Sequence, residues 1–248
     1  MAETEAYERL PDGQLEVRRL GRTAYADAYE LQKSLVAQRA EGAVGDVVLL
    51  TEHEPVVTLG RGAPAEAAAG TGLQVVEVER GGEATYHGPG QLVAYPILLL
   101  PEGRRDLHRY LRDLEEVVIG VLGEFELEGE RREGYTGVWL GERKICSIGV
   151  AVRRWVTYHG LALNLHTDLD AFRSFRPCGL DPDVMTRLAD HAELPPTLLL
   201  GEVLLVKHLC RVFGLELPPP KPLATPPDPS DPSEPDRPGF FPLPILPS

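Results

Sequence analysis

The last 31 residues set the outer limit on what this chain can fold into: Pro218 to Ser248 carries 13 prolines and no periodic apolar pattern. Proline has no amide hydrogen to contribute to a helix or an inner strand, so this stretch is excluded from the core. One domain is therefore predicted over residues 1–217, followed by a proline-rich, disordered tail over 218–248. The tail ends in Phe240, Phe241, Leu243, Ile245 and Leu246, which suit local docking or a partner-binding motif. With 43% hydrophobic residues, the remainder can bury one sizeable core.

Within that remainder, apolar spacing predicts helices over Ala24–Ala40, Arg105–Phe125 and Leu198–Val212. In the second, Leu107, Leu111, Leu114, Val118, Val121, Leu122 and Phe125 share one face. Strands are predicted at Val47–Leu50, Pro55–Gly60, Leu73–Val78, Leu92–Leu100, Val138–Leu140, Ile145–Arg153 and Val156–Leu165. Helices and strands cluster without strict alternation, so the expected class is α+β, a mixed sheet flanked by helices.

The formal charge of −13 has no basic block to neutralise phosphates, which argues against a nucleic-acid partner. No apolar run reaches the roughly 18 residues that a membrane span needs, and no signal-peptide core opens the chain. Three cysteines, Cys146, Cys178 and Cys210, fit a reducing compartment better than a disulfide framework. A soluble cytoplasmic protein is expected. Paired Cys or His spacings typical of zinc sites are lacking, so neither metal nor cofactor is predicted.

Three stretches carry residues that a plain core does not need. Arg80-Gly-Gly-Glu-Ala-Thr-Tyr-His87, followed by Gly88-Pro-Gly-Gln91, sets polar side chains and free amides between two apolar strands. In Ser147-Ile-Gly149 and Gly160-Leu-Ala162, small residues leave a trough above the sheet, to be filled by a helix or by an elongated ligand. Alternation puts Thr157, His159 and Leu161 on one face of the second strand, with Gly160, Ala162 and Asn164 on the other. The third stretch, Arg176-Pro-Cys-Gly-Leu180, sets a cysteine on a constrained turn. That favours Cys178 as a nucleophile over Cys146, whose apolar strand would suppress thiol reactivity, while Cys210 reads as inert core. Only four lysines stand beside 21 arginines, and Lys144 is one of them. Lysine, unlike arginine, can give up its proton near neutral pH.

Taken together, Arg80 to Gln91, Lys144 with Ser147-Ile-Gly149, His159 to Asn164 and Pro177-Cys-Gly-Leu180 resemble the lipoate-biosynthesis octanoyltransferases. The resemblance implies the catalytic fold shared with biotin- and lipoate-protein ligases, an acyl thioester on Cys178 and activation by Lys144. It maps the substrate pocket onto Arg80, Gly81, Gly82, Glu83, Ala84, Thr85, Tyr86, His87, Ser147, Ile148, Gly149, Gly160, Leu161 and Ala162. The implied donor is octanoyl-acyl carrier protein. The implied acceptors are the lipoyl domains of 2-oxoacid dehydrogenase E2 subunits and the glycine cleavage H protein.

On that reading Lys144 promotes the Cys178 thiolate, and Lys144 or His87 takes the proton of the attacking acceptor amine. Strict alternation sets Lys144 opposite the small-residue trough, a conflict that a strand starting later, or a bulge near Ile145, would remove. Two rivals are an ATP-dependent ligase on the same fold, told apart by AMP release, and a non-catalytic carrier-binding module indifferent to Cys178→Ser.

Overall fold

The computed structural model describes residues 13–64, 67–68, 70–175 and 180–217; the predicted tail and the Arg176–Gly179 turn lie outside them. A mixed seven-stranded sheet runs in the order β1-β2-β6-β10-β9-β8-β7, and a three-stranded sheet in the order β4-β3-β5. The strands are β1 (Leu15–Thr23), β2 (Asp46–His53), β3 (Val56–Leu59), β4 (Gln74–Glu77), β5 (Ala84–His87), β6 (Gln91–Ile97), β7 (Glu130–Arg132), β8 (Tyr135–Leu140), β9 (Arg143–Arg153) and β10 (Val156–Asn164). Pairing is antiparallel throughout except for β1 with β2 and β3 with β4.

Three helices, α1 (Tyr25–Ala40), α2 (Leu107–Gly123) and α3 (Leu198–Phe213), agree with the predicted ones to within two residues at either end. Asp106 caps α2 by accepting from the amides of His108 and Arg109, Thr197 caps α3 through Leu200, and Gly214 ends α3 in the left-handed conformation. Charge hid β1 from the sequence reading: it is an edge strand whose Arg18, Arg19 and Arg22 keep that edge from pairing further.

The large sheet separates two apolar layers. On one side Val48, Leu50, Leu92, Leu161, Leu163 and Ile148 meet α2 and α3 through Leu114, Val118, Val121, Leu205 and Leu209. On the other, Val47, Leu49, Val93, Ala151 and Ala162 meet α1 through Tyr25, Ala28, Leu35 and Val36. The buried stripe of α1 is helical in spacing but not wholly apolar, for it includes Gln32 and Arg39. Each has its reason. Arg39 forms a 2.7 Å ion pair with buried Asp46, and Gln32 Oε1 accepts the amide of His159 at 2.8 Å.

That amide is available because β10 is kinked. The register with β6 runs only from Leu161↔Ala94 to Asn164↔Gln91, and Pro96 has no amide to continue it. His159 turns to φ +55, and its ring joins those of Tyr25, Tyr29 and Tyr158 on the α1 side. Strict alternation had put it on the face of Leu161. The left-handed residue breaks that period. The neighbouring Gly160 is required by close approach: a Cβ there would lie 2.1 Å from the Ala94 carbonyl oxygen and 2.8 Å from Pro96 Cδ. Backbone cannot yield as a side-chain tip does, so Gly160→Ala is expected to cost about 1–3 kcal/mol. Thermal unfolding should show the midpoint falling by about 2–4 °C per kcal/mol; an unchanged midpoint would contradict the packing described.

Candidate active site

The polar stretch of the 80s forms a loop and a strand pinned on three sides. Arg61 N and Gly62 N donate to the carbonyls of Arg80 and Gly82, and Gly81 N donates to Val150 O on β9. In β5 the side chains alternate. Ala84 and Tyr86 point into an apolar cluster with Val57, Leu59, Phe172 and Met185, whereas Thr85 and His87 face the large sheet. Ala84 and Tyr86, both predicted as pocket residues, therefore turn away from the two cavities that the other predicted residues border.

The other twelve predicted pocket residues do converge, around two adjoining cavities. The inner one, about 40 Å³, lies among Arg80, Gly82, Thr85, His87, Ser147, Ile148, Gly149 and Gly160–Ala162. Tyr25, Tyr95 and His159 complete its wall. Spacing gave no hint of the two tyrosines, and His159 belongs to the His159–Asn164 motif but not to the predicted pocket. The outer cavity, about 320 Å³, borders Gly81, Glu83, Leu107, Leu111, Tyr135 and Lys144. Gly82, Ile148 and Gly149 border both, so the two lie side by side along β9. They exist because β8 leaves β9 at Gly137↔Ser147, and the β9 edge beyond is open until Gly81 meets Val150.

Lys144 is only 2% exposed, with Nζ 5.7 Å from the centroid of the Trp139 ring. The β8–β9 register steps from Val138↔Cys146 to Trp139↔Lys144, leaving Ile145 as an extra residue. Of the two ways to reconcile Lys144 with the trough, a later strand start or a bulge, this is the bulge. Ile145 and Cys146 both enter the α2–α3 core, and Lys144 returns to the face of Ser147 and Gly149. Cys146 is fully buried, and burial pushes its thiol up to about 12 despite the opposing pull of Lys144, which disfavours it as a nucleophile. Cys178 lies outside the described residues. Its flanks do not: Phe175 packs on Phe172 upstream, and downstream Met185 bridges to Lys144 while Thr186 N donates to Lys144 O at 2.9 Å.

A directional chain of hydrogen bonds ties these parts together. Arg80 Nη2 donates to Thr58 O and Oγ1, both at 2.9 Å, and the Thr58 hydroxyl faces His87 Nε2 at 3.4 Å. His87 Nδ1 donates to Gln91 Oε1 at 2.8 Å, since the Gln91 amide nitrogen already serves Tyr86 O and Asn164 Oδ1. Asn164 Nδ2 then donates to Thr186 O at 2.9 Å, the residue whose amide holds Lys144. With both ring nitrogens engaged, His87 is a linker in this chain and poorly placed to act as a base.

Burial keeps the clustered histidines neutral. It pulls His87 well below its usual value, aided by His53, pulls His159 down to about 3, aided by Arg80, and pulls His53 down to about 4. His53 shows its tautomer: Nδ1 donates to Thr23 O, and Nε2 accepts from the Tyr95 hydroxyl at 2.7 Å. The Nε2 of His159 and the Oγ1 of Thr85 are buried and have no hydrogen-bond partner among the described residues, at the wall of the inner cavity.

Residues 24–205 match the family described as the lipoyl protein ligase A/B catalytic domain. The chain belongs to this family. Among its relatives is an octanoyltransferase of Gloeobacter violaceus, 47% identical over 204 residues, covering 80% of this chain and 90% of that protein. Another, an octanoyltransferase of Rubrobacter xylanophilus, is 52% identical over 176 residues, 67% of this chain and 79% of that protein. Solved members of the lipoate-protein ligase fold superpose well. A bi-partite lipoate protein ligase from Thermoplasma acidophilum gives a TM-score of 0.64 at 17% identity, covering 83% of this chain and 86% of that one. A lipoate-protein ligase A bound with ATP gives 0.63 at 16% identity, over 83% and 87%. At such identities the likeness speaks for the fold alone, and the predicted ligase-like architecture is the observed one.

In this family member, the neutral histidines behind the cavity have a measurable signature. An unfolded histidine titrates near about 6.5, so below that pH the unfolded chain takes up protons that the folded one refuses. Stability is complete above pH 6.5 and is lost as pH falls toward the folded values. Each such histidine should cost roughly 2 kcal/mol between pH 6.5 and 5. Urea unfolding at pH 7 and pH 5 is expected to differ by at least about that much; equal stabilities would mean that the histidines are not held neutral.

Proposed function

We propose that this chain moves an octanoyl group from acyl carrier protein to a lysine of lipoyl domains through an S-octanoyl intermediate on Cys178. The observation that carries the reading is the placement of Lys144. Lys144 is buried, borders the outer cavity opposite Gly81–Glu83, and is bonded through its backbone to the segment downstream of Cys178. The acceptors are the lipoyl domains of 2-oxoacid dehydrogenase E2 subunits and the glycine cleavage H protein, and the reaction is cytoplasmic. Residues 1–217 carry it, with no part assigned to the tail.

In the first half-reaction the Cys178 thiolate, formed with the help of Lys144, adds to the carbonyl carbon of the octanoyl thioester. The carbon–sulfur bond to the carrier breaks and the carrier thiol leaves with a proton. One thioester replaces another, so this step is reversible. In the second, the acceptor ε-amine attacks the S-octanoyl carbonyl. Lys144 takes the ammonium proton and returns it to the departing Cys178 sulfur. An amide replaces a thioester, which makes the transfer one-way. His87 is not assigned the proton, because both its nitrogens are committed to Thr58 and Gln91.

The octanoyl chain is assigned to the outer cavity and, past Gly82 and Gly149, to the inner one. Burying about six methylenes at about 0.8 kcal/mol each contributes roughly 5 kcal/mol, and two fewer carbons forfeit about 1.6. That amounts to roughly tenfold selectivity against shorter chains. Longer chains must be refused by the closed wall of Tyr25, Tyr95 and His159, since the inner cavity holds only about 40 Å³.

Intact-mass spectrometry after mixing with octanoyl-acyl carrier protein tests the nucleophile. One octanoyl adduct is expected on the wild type and on Cys146→Ser, and none on Cys178→Ser. An adduct that survives in Cys178→Ser and vanishes in Cys146→Ser would reverse the assignment.

A further inference from the structure

Behind Lys144 lies an arrangement that the proposed reaction does not itself use. Gly137, the last residue of β8 to pair with β9, has φ +133, in the region that favours glycine. A Cβ built on it would stand 2.7 Å from Lys144 Cε, 3.3 Å from Lys144 Nζ and 2.4 Å from the Cys146 carbonyl oxygen. The side chain of Lys144 is thus laid directly across the bare α-carbon of Gly137. The amide of Gly137 does not join the ladder; it donates to Glu115 Oε1 at 3.0 Å.

Glu115 is wholly buried on α2, and its other oxygen is held by Arg112 Nη1 at 2.7 Å and Arg131 Nε at 3.3 Å. A buried carboxylate is costly unless such partners surround it, and an apolar residue of similar volume would pack there at less cost. Neither residue stood out in the sequence: Glu115 falls within the helix predicted over Arg105–Phe125, and Gly137 just ahead of the strand predicted at Val138–Leu140.

We infer that Gly137 and Glu115 are positioning residues for Lys144. Glu115 fixes the Gly137 peptide against α2, and the missing Cβ leaves the channel in which the lysine stem lies. The amine then projects into the outer cavity at one depth. Neither residue touches the acyl group, so both act through the lysine. This rests on the proposed role of Lys144, and the test separates the two.

Single-turnover rates of octanoyl transfer from acyl carrier protein should be measured in Gly137→Ala, Glu115→Ala and Glu115→Gln, each with and without Lys144→Ala. A misplacement of about 1 Å can cost about 100-fold, so Gly137→Ala is expected to lower kcat by about that factor while KM moves little. Glu115→Ala should fall in the same direction. Glu115→Gln keeps an acceptor for the Gly137 amide and should recover most of the rate, which tests the role even if Gly137→Ala does not fold.

In the Lys144→Ala background the Gly137 and Glu115 substitutions should have no further effect, because a group that acts only through the lysine has nothing left to position. Equal losses with and without Lys144 would overturn the inference while leaving the lysine's role intact. A Lys144→Ala variant as fast as wild type would overturn the role itself, and the inference with it.

Discussion

The buried polar chain from Arg80 through Thr58, His87, Gln91 and Asn164 to Thr186 is the constraint on which the rest of the site depends. All six of its members are buried, and every link has a definite donor and acceptor. Each bond is worth only about 0.5–1.5 kcal/mol net, but a member left without its partner costs about 1–3 kcal/mol. The network is therefore kept whole more by the penalty of breaking it than by the gain of forming it. It crosses from the small sheet to the large one and ends on the backbone of Lys144, so the loop that roofs the cavity and the lysine that borders it are set by one framework.

The cavity follows from how the sheet ends. β8 accompanies β9 only as far as Gly137, and the remaining edge of β9 is covered partly by the Arg80–Gly82 loop. An open edge usually invites pairing with another chain. Here the loop takes Val150 and the cavity takes what is left. On the inner side, the kink at Pro96 and His159 brings a ring into the wall that a regular strand would have pointed toward α2. The fold thus makes its pocket at two irregularities, a strand that stops early and a strand that turns over.

Much of this was legible in the residues. The helices announced themselves by apolar spacing, and the buried strands by short apolar runs. The small faces of β9 and β10 foretold a trough: α1 covers Ala151, while Ser147, Gly149 and Gly160 border the cavity. The bulge at Ile145 is one of the two ways in which the parity of Lys144 could be met. What escaped was non-local. Nothing in sequence spacing links Thr58 to His87 or Glu115 to Gly137, because those pairs are made by the packing of separate elements. His159 was misplaced because period two assumes extended backbone, and a single left-handed residue cancels it. Ala84 and Tyr86 came with a contiguous motif, but a strand shows only alternate residues to any one cavity.

The chemistry turns on whether the amine bordering the outer cavity lowers the proton affinity of the Cys178 sulfur. The most direct measurement is the pH dependence of iodoacetamide alkylation at Cys178, followed by peptide mass spectrometry in the wild type and in Lys144→Met. In the wild type the midpoint should lie well below the ordinary thiol value of about 8.5, and in Lys144→Met it should return to that value or above. The same midpoint in both proteins would contradict the pairing of that lysine with that thiol.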